Sequence, residues 1–173
     1  MSKIQINSIT NAGIYLNGTS MLGRAEEIKL PDVSSLMTER KALGMIGKIE
    51  LPAGFDKLEG EIKWNSLYED VAALMANPYK SHQLQCRSSI EAYGSQGRMD
   101  EQGMVTYLSV MFKKNPMGNF KQHDPAEFPS AFACSYIKQV IGGREVLELD
   151  YMANIFRVNG EDVLATYRSN IGG

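Results

Sequence analysis

The chain has 173 residues, 43% hydrophobic and 22% charged, which fits a single globular domain over residues 1–173 and excludes wholesale disorder. Lys plus Arg number 18 against 20 Asp plus Glu, a formal net charge of −2, which argues against an extended phosphate-gripping surface. No apolar run approaches the ~20 residues that span a bilayer. The N-terminal MSKIQINSITNAG carries no apolar signal region, and two cysteines make no disulfide framework, so an intracellular origin is expected.

Short alternating segments punctuated by Gly, Asn and Pro dominate the chain, the pattern of antiparallel β structure. Ile14-Tyr15-Leu16 runs into Asn17-Gly18, a hairpin signal because both turn residues tolerate positive φ. A strand over 25–30 follows and stops at Pro31. Residues 32–47, DVSSLMTERKALGMIG, show no period and read as a long loop. Leu36, Met37, Leu43, Met45 and Ile46 are too apolar for a freely solvated loop, so they need a surface in this domain or on a neighbouring subunit.

Leu58, Gly60, Ile62 and Trp64 then alternate with Glu59, Glu61 and Lys63, a strand with one dry and one wet face. Ser66 and Glu69 fit a capping box that opens a helix through Leu67, Val71, Leu74 and Met75, ending at Asn77 before Pro78. Leu84, Cys86, Ser88 and Ile90 alternate with Gln83, Gln85, Arg87, Ser89 and Glu91 in a longer strand. Residues 94–103 read as a polar turn, 104–112 as a strong strand, and 113–127 as a second loop. Segments 132–141 and 145–150 flank Gly142-Gly143 as a hairpin, Asn159-Gly160 marks another turn, and 161–171 closes the chain as a short helix. The sum is mainly β, a barrel or sandwich of antiparallel strands with one internal and one terminal helix.

Chemistry-bearing patterns are few. Gly18 and Gly23 have the spacing of a phosphate-binding loop, but Arg24-Ala25 stand where Lys and Ser/Thr are required. His82 and Cys86 on one strand lie about 13 Å apart at ~3.3 Å per residue, too far for one zinc ion. Cys86 and Cys134 sit in apolar strands, where burial makes a thiol inert. Asn17-Gly18-Thr19 matches a glycosylation acceptor that the hairpin turn already explains. No catalytic residue, metal or cofactor is therefore expected. Met37 and Met45 leave open an adaptable subunit contact or intramolecular core.

IYLNG, then IKLP, then the long loop with Glu39-Arg40 and Gly44-Met45, then the strand ending at Trp64 form a collinear set. Tyr136, Gly142-Gly143-Arg144-Glu145-Val146, Glu148-Leu149-Asp150, Val158-Asn159-Gly160, Asp162, Arg168 and Asn170-Ile171-Gly172 continue it. Together they resemble the major tail tube proteins of contractile-tailed phages and R-type bacteriocins, over nearly the whole chain.

The resemblance implies a small β-barrel of two packed antiparallel sheets with a helix beside it, and no catalysis. It implies hexameric rings stacked into a hollow tube inside a contractile sheath. A tape-measure protein and transiting DNA would occupy the lumen, a baseplate hub and a tail terminator the ends, and the monomer would not insert in membrane. The expected location is the virion tail, with assembly in the host cytoplasm. In this setting Leu36, Met37, Glu39, Arg40, Leu43, Met45 and Ile46 are candidates for inter-subunit contact. Glu59, Glu61, Gln83, Gln85, Ser89 and Glu91 are candidates for the lumen wall, with a merely solvated outer face as the alternative. A different class of function, a β-barrel module binding an apolar ligand, would instead keep the chain monomeric.

Overall fold

The computed structural model describes residues 4–173. The first strands are β1 (Ile6–Ser8), β2 (Ala12–Leu16), β3 (Thr19–Ser20), β4 (Ala25–Lys29), β5 (Ser35–Arg40), β6 (Ile49–Phe55) and β7 (Leu58–Trp64). Helix α1 (Glu69–Ala76) precedes the long strands β8 (His82–Gly94) and β9 (Gly97–Lys114), the short β10 (Asn119–Lys121), and β11 (Asp124–Ile141). The chain ends through β12 (Arg144–Asp150), β13 (Ile155–Val158), β14 (Glu161–Asp162) and α2 (Ala165–Asn170).

The mainly β expectation holds, with two sheets and two helices. A 12-stranded sheet carries the body, and β5 and β6 form a separate two-stranded sheet. The long strand β11 organises the body. Its first half pairs with β7 and its second half with β12, while β9 lies along its other edge. β9 pairs with β8, β8 with β2, and β7 with β4, so the sheet curls from β2 around to β4. β2 and β4 share no ladder, and a cleft of about 320 Å³ lined by Ala12, Ile14, Ala25 and Ile28 separates them. The curl is a small barrel whose seam lies between β2 and β4.

The inward side chains fill this curl. Leu16, Leu58, Ile62, Trp64, Leu84, Leu108, Val110, Phe112 and Phe132 are all essentially inaccessible to solvent. Phe112 and Phe132 meet edge to face at 6.5 Å between ring centroids, a favoured geometry for aromatic quadrupoles. Trp64 Nε1 donates to Ser130 Oγ at 3.0 Å, and Ser130 donates onward to the Ile62 carbonyl at 2.8 Å. The indole N–H is thus satisfied in a dry core. The Asn17-Gly18 turn has φ of 50° and 81°, as the sequence signal requires. Asn17 also clasps the neighbouring strand, its side-chain oxygen accepting from the Gln83 N–H at 2.9 Å.

Several boundaries differ from the sequence reading, each for a physical reason. Residues 32–47 are not aperiodic loop throughout: they contain β5, which pairs with β6 in register from Ser35↔Phe55 to Arg40↔Ile49. Both faces of this ribbon are solvent-exposed, so no polar–apolar alternation marks it. Residues 94–103 are largely strand, because β9 begins at Gly97 and pairs with β8 out to Gly94↔Gly97. That ribbon end is polar on both sides, which hides it from a hydrophobic period. Within 113–127, β10 pairs with the start of β11. The capping box does not form: Tyr68 is the N-cap, without a side-chain cap bond. Instead Asn65 holds the entry, donating to the Gly23 carbonyl at 2.6 Å and accepting from the Tyr68 hydroxyl at 2.6 Å. The terminal helix is shorter than 161–171, because Glu161 and Asp162 pair with β13 as β14.

Candidate assembly surfaces

The β5–β6 hairpin is the first candidate surface. Directly opposed residues share a face, so Leu36, Thr38, Arg40, Ile49 and Leu51 lie on one side. Leu36, Ile49 and Leu51 are each about half exposed, and at the tip Leu43 and Ile46 are fully exposed with Met45 beside them. The structure thus brings the predicted contact residues Leu36, Met37, Glu39, Arg40, Leu43, Met45 and Ile46 onto one projecting ribbon. On the other face Glu39 stands directly opposite Glu50, with Lys48 3.8 Å from Glu39. Like charges in register destabilise a ladder, and a lone two-stranded hairpin is marginal in water.

The second surface is the outer face of the main sheet. One register row crosses it from β3 to β14: Ser20, Tyr15, Gln85, Tyr107, Lys138, Glu148, Arg157 and Asp162. Its charges are paired within the chain. Arg157 lies 3.6 Å from Glu148, Lys138 3.9 Å from Glu145, and Arg98 3.5 Å from Glu91 and 3.8 Å from Glu101. Arg87 donates to Gln85 at 2.9 Å and lies over the Tyr15 ring. Ser89 donates to Glu101 at 2.7 Å. Partial burial, with Glu145 alongside, holds the Glu148 carboxyl above the usual carboxylate range. The face is therefore polar and nearly neutral.

Gln83, Gln85, Ser89 and Glu91 belong to this face, on β8. Glu59 and Glu61 point outward from β7, with β11 and β9 between the two sets. Glu59 pairs with Lys113 and Lys57, and Lys113 in particular holds its carboxyl below the usual range. The sequence reading did not find the contributions of Tyr107, Lys138, Glu148 and Arg157, although the alternation of Glu145–Asp150 with 132–141 marks the outward positions.

The third feature is an apolar cleft of about 430 Å³ between the hairpin root and the C-terminal helix. Phe55, Leu149, Ile155, Leu164 and Tyr167 line it, and Asp150 is its one charged residue. Phe55 and Phe156 pack edge to face at 4.9 Å beside it. Arg168 next to it donates to the Asn154 carbonyl at 3.0 Å and pairs with Asp162.

The polar and sulfur groups that chemistry would need are scattered. His82 is buried, its Nδ1 3.1 Å from the Asn17 amide nitrogen. Cys86 and Cys134 are free and buried. Burial raises the Cys86 thiol and pushes Cys134 up to about 11. Among the described residues no group of three or more His, Cys, Asp or Glu could hold a metal ion, and no helix is long and apolar enough to cross a membrane.

Comparison with known proteins adds a direct likeness. The family model of the phage tail tube protein FII matches residues 6–172. The tail tube protein of Escherichia phage P2 is 28% identical over 163 residues, spanning 92% of this chain and 93% of that one. In fold, a chain of the sheath–tube complex of an extracellular contractile injection system in the extended state aligns with a TM-score of 0.54 at 10% identity. That alignment covers 75% of this chain and 87% of the other. A chain from the sheath/tube terminator of such a system aligns with a TM-score of 0.55 at 9% identity, over 75% and 92%.

Proposed function

The chain belongs to the phage tail tube protein FII family, and from that premise we propose that it polymerises as stacked hexameric rings into the inner tube of a contractile tail. The tube is the conduit for DNA and the rod driven through the host envelope when the sheath shortens. It assembles in the host cytoplasm and resides in the virion tail. The sheath protein surrounds it, a tape-measure protein fills it before DNA passes, and a baseplate hub and tail terminator close its ends. The role is structural, without catalysis.

One observation of the fold carries this reading: the projecting hairpin, whose apolar face and tip have no cover among the described residues. Such a ribbon is stable in the long term only when another body covers it. Joining neighbouring sheets around a ring also removes exposed strand edges that invite uncontrolled pairing. Contacts that close give rings, and contacts that do not close give filaments.

The outer face of the main sheet suits the lumen wall, with Gln83, Gln85, Ser89 and Glu91 on it and Glu59 and Glu61 on the flank. A conduit must not hold DNA, because each free cation would bind phosphate by releasing counterions. A face on which Arg98, Lys138 and Arg157 already pair with carboxylates, and Arg87 is held by Gln85 and Tyr15, meets that need. The apolar-ligand reading has no comparable support, since Trp64, Phe112 and Phe132 fill the barrel interior.

Negative-stain microscopy of the concentrated protein, beside its light-scattering mass in dilute solution, tests the proposal. Hollow tubes or rings of uniform width are expected. A monodisperse monomer at every concentration, with or without seeding by preformed tail baseplates, overturns it.

A further inference from the structure

Leu43, Met45 and Ile46 form an apolar tip with no cover among the described residues, flanked by the cations Arg40 and Lys41, while Lys48 pairs with Glu39. The cleft at the hairpin root has the opposite character. Phe55, Leu149, Ile155, Leu164 and Tyr167 give an apolar floor, and the one charge in its lining is the Asp150 carboxylate. Its volume of about 430 Å³ lies within the range of sites that enclose small apolar groups. Val163 and Ile171, on the same terminal segment as Leu164 and Tyr167, are exposed.

Tip and cleft cannot meet within one molecule. They stand at the two ends of the same ribbon, and strand β6 alone separates them by about 20 Å at ~3.3 Å per residue. An apolar projection and a matching cleft at different places on one molecule make a head-to-tail contact, which builds a ring where the rotation closes and a filament where it does not. We infer that the hairpin tip of one copy docks in the cleft between hairpin root and α2 of a second copy, with Arg40 and Lys41 facing the Asp150 side. Each copy then gives one tip and receives one, which is the repeat of a head-to-tail polymer. This inference rests on the polymer reading and adds the identity of the receiving surface.

The test uses the full chain carrying Ile46→Cys and Tyr167→Cys. Both positions are exposed, whereas the native Cys86 and Cys134 are buried. A short bismaleimide joins two thiols by addition, with no oxidant. Polymer of the double variant is expected to give a covalent ladder of dimers, trimers and higher species on a denaturing gel. An equal mixture of the two single variants is expected to stop at dimers, since each copy then carries one reactive thiol. Val163→Cys replaces Tyr167→Cys if loss of the ring disturbs the helix. A control pairs Ile46→Cys with Leu22→Cys, an exposed position in the turn before β4, and is expected to give no ladder. Intact polymer without a ladder at 167 or 163, or an equal ladder at 22, overturns the docking assignment and leaves the tube reading standing. Failure of the unmodified protein to polymerise at all overturns both.

Discussion

Gly60→Ala probes the tightest point of the barrel. A Cβ built there stands 2.5 Å from the Lys29 carbonyl oxygen, 2.5 Å from Phe132 Cζ and 2.9 Å from Phe132 Cε2. Neither neighbour is a flexible side-chain end. The Lys29 carbonyl belongs to the β4–β7 ladder, and the Phe132 ring is fully buried against Phe112. Overpacking in a dense core costs about 1–3 kcal/mol, and two rigid neighbours place this variant at the upper end. For a domain of this size about 1 kcal/mol lowers Tm by roughly 2–4 °C, so about 3 kcal/mol lowers it by roughly 6–12 °C. Gly13→Ala in β2 is the control, since nothing lies within 4 Å of its added Cβ. Its expected change is within about 0.5 kcal/mol. Phe132→Leu shortens the clashing ring, so the Gly60→Ala/Phe132→Leu pair is expected to be less destabilised than the sum of its singles by about 1 kcal/mol or more. Thermal and urea melts followed by circular dichroism measure all four proteins. If Gly60→Ala is as harmless as Gly13→Ala, or if the pair is strictly additive, the packing argument is wrong.

Other outcomes follow from the same structure. Ser130→Ala leaves the buried Trp64 N–H without its acceptor, and should cost about 1–3 kcal/mol, read from melts monitored by tryptophan fluorescence. The two native thiols should be silent to a thiol reagent at pH 8 and both react after denaturation, because burial keeps them protonated. Their raised pKa values also fix a sign. The folded state favours the neutral thiol of Cys134, so that contribution is present below the ordinary value of 9.0 and is lost as pH rises toward about 11. Stability in urea that stays flat or increases over that window in the native protein relative to Cys134→Ala would contradict it. Leu43→Asp and Ile46→Asp should leave the monomer's melt unchanged, since both side chains are solvent-exposed, yet abolish polymer in negative stain.

The sequence made the body of the fold legible where one strand face is dry. Leu58, Gly60, Ile62 and Trp64 alternate with exposed partners and are buried as a set, and the same holds for Leu84 and Cys86 in β8. Asn17-Gly18 and Asn159-Gly160 announced their turns because positive φ restricts the residues that fit. The β5–β6 ribbon and the Gly97–Gly103 end of β9 were invisible, since a strand wet on both faces leaves no period. The apolar residues of 32–47 are still conspicuous by composition, which marks a surface in need of cover without revealing its shape. Pairing of Lys138, Glu145, Glu148 and Arg157 depends on register across three strands, with a bulge between Gln139 and Val140, and no local pattern reveals it.

Helical reconstruction of the polymer by cryo-electron microscopy tests the central claim most directly. The account predicts a hollow tube of stacked hexameric rings, with the β5–β6 hairpin buried between subunits and the row through Gln85, Tyr107, Lys138 and Glu148 lining the channel. A polymer whose hairpins remain in solvent, or whose channel is lined by another face while that row lies on the outer wall, would contradict it.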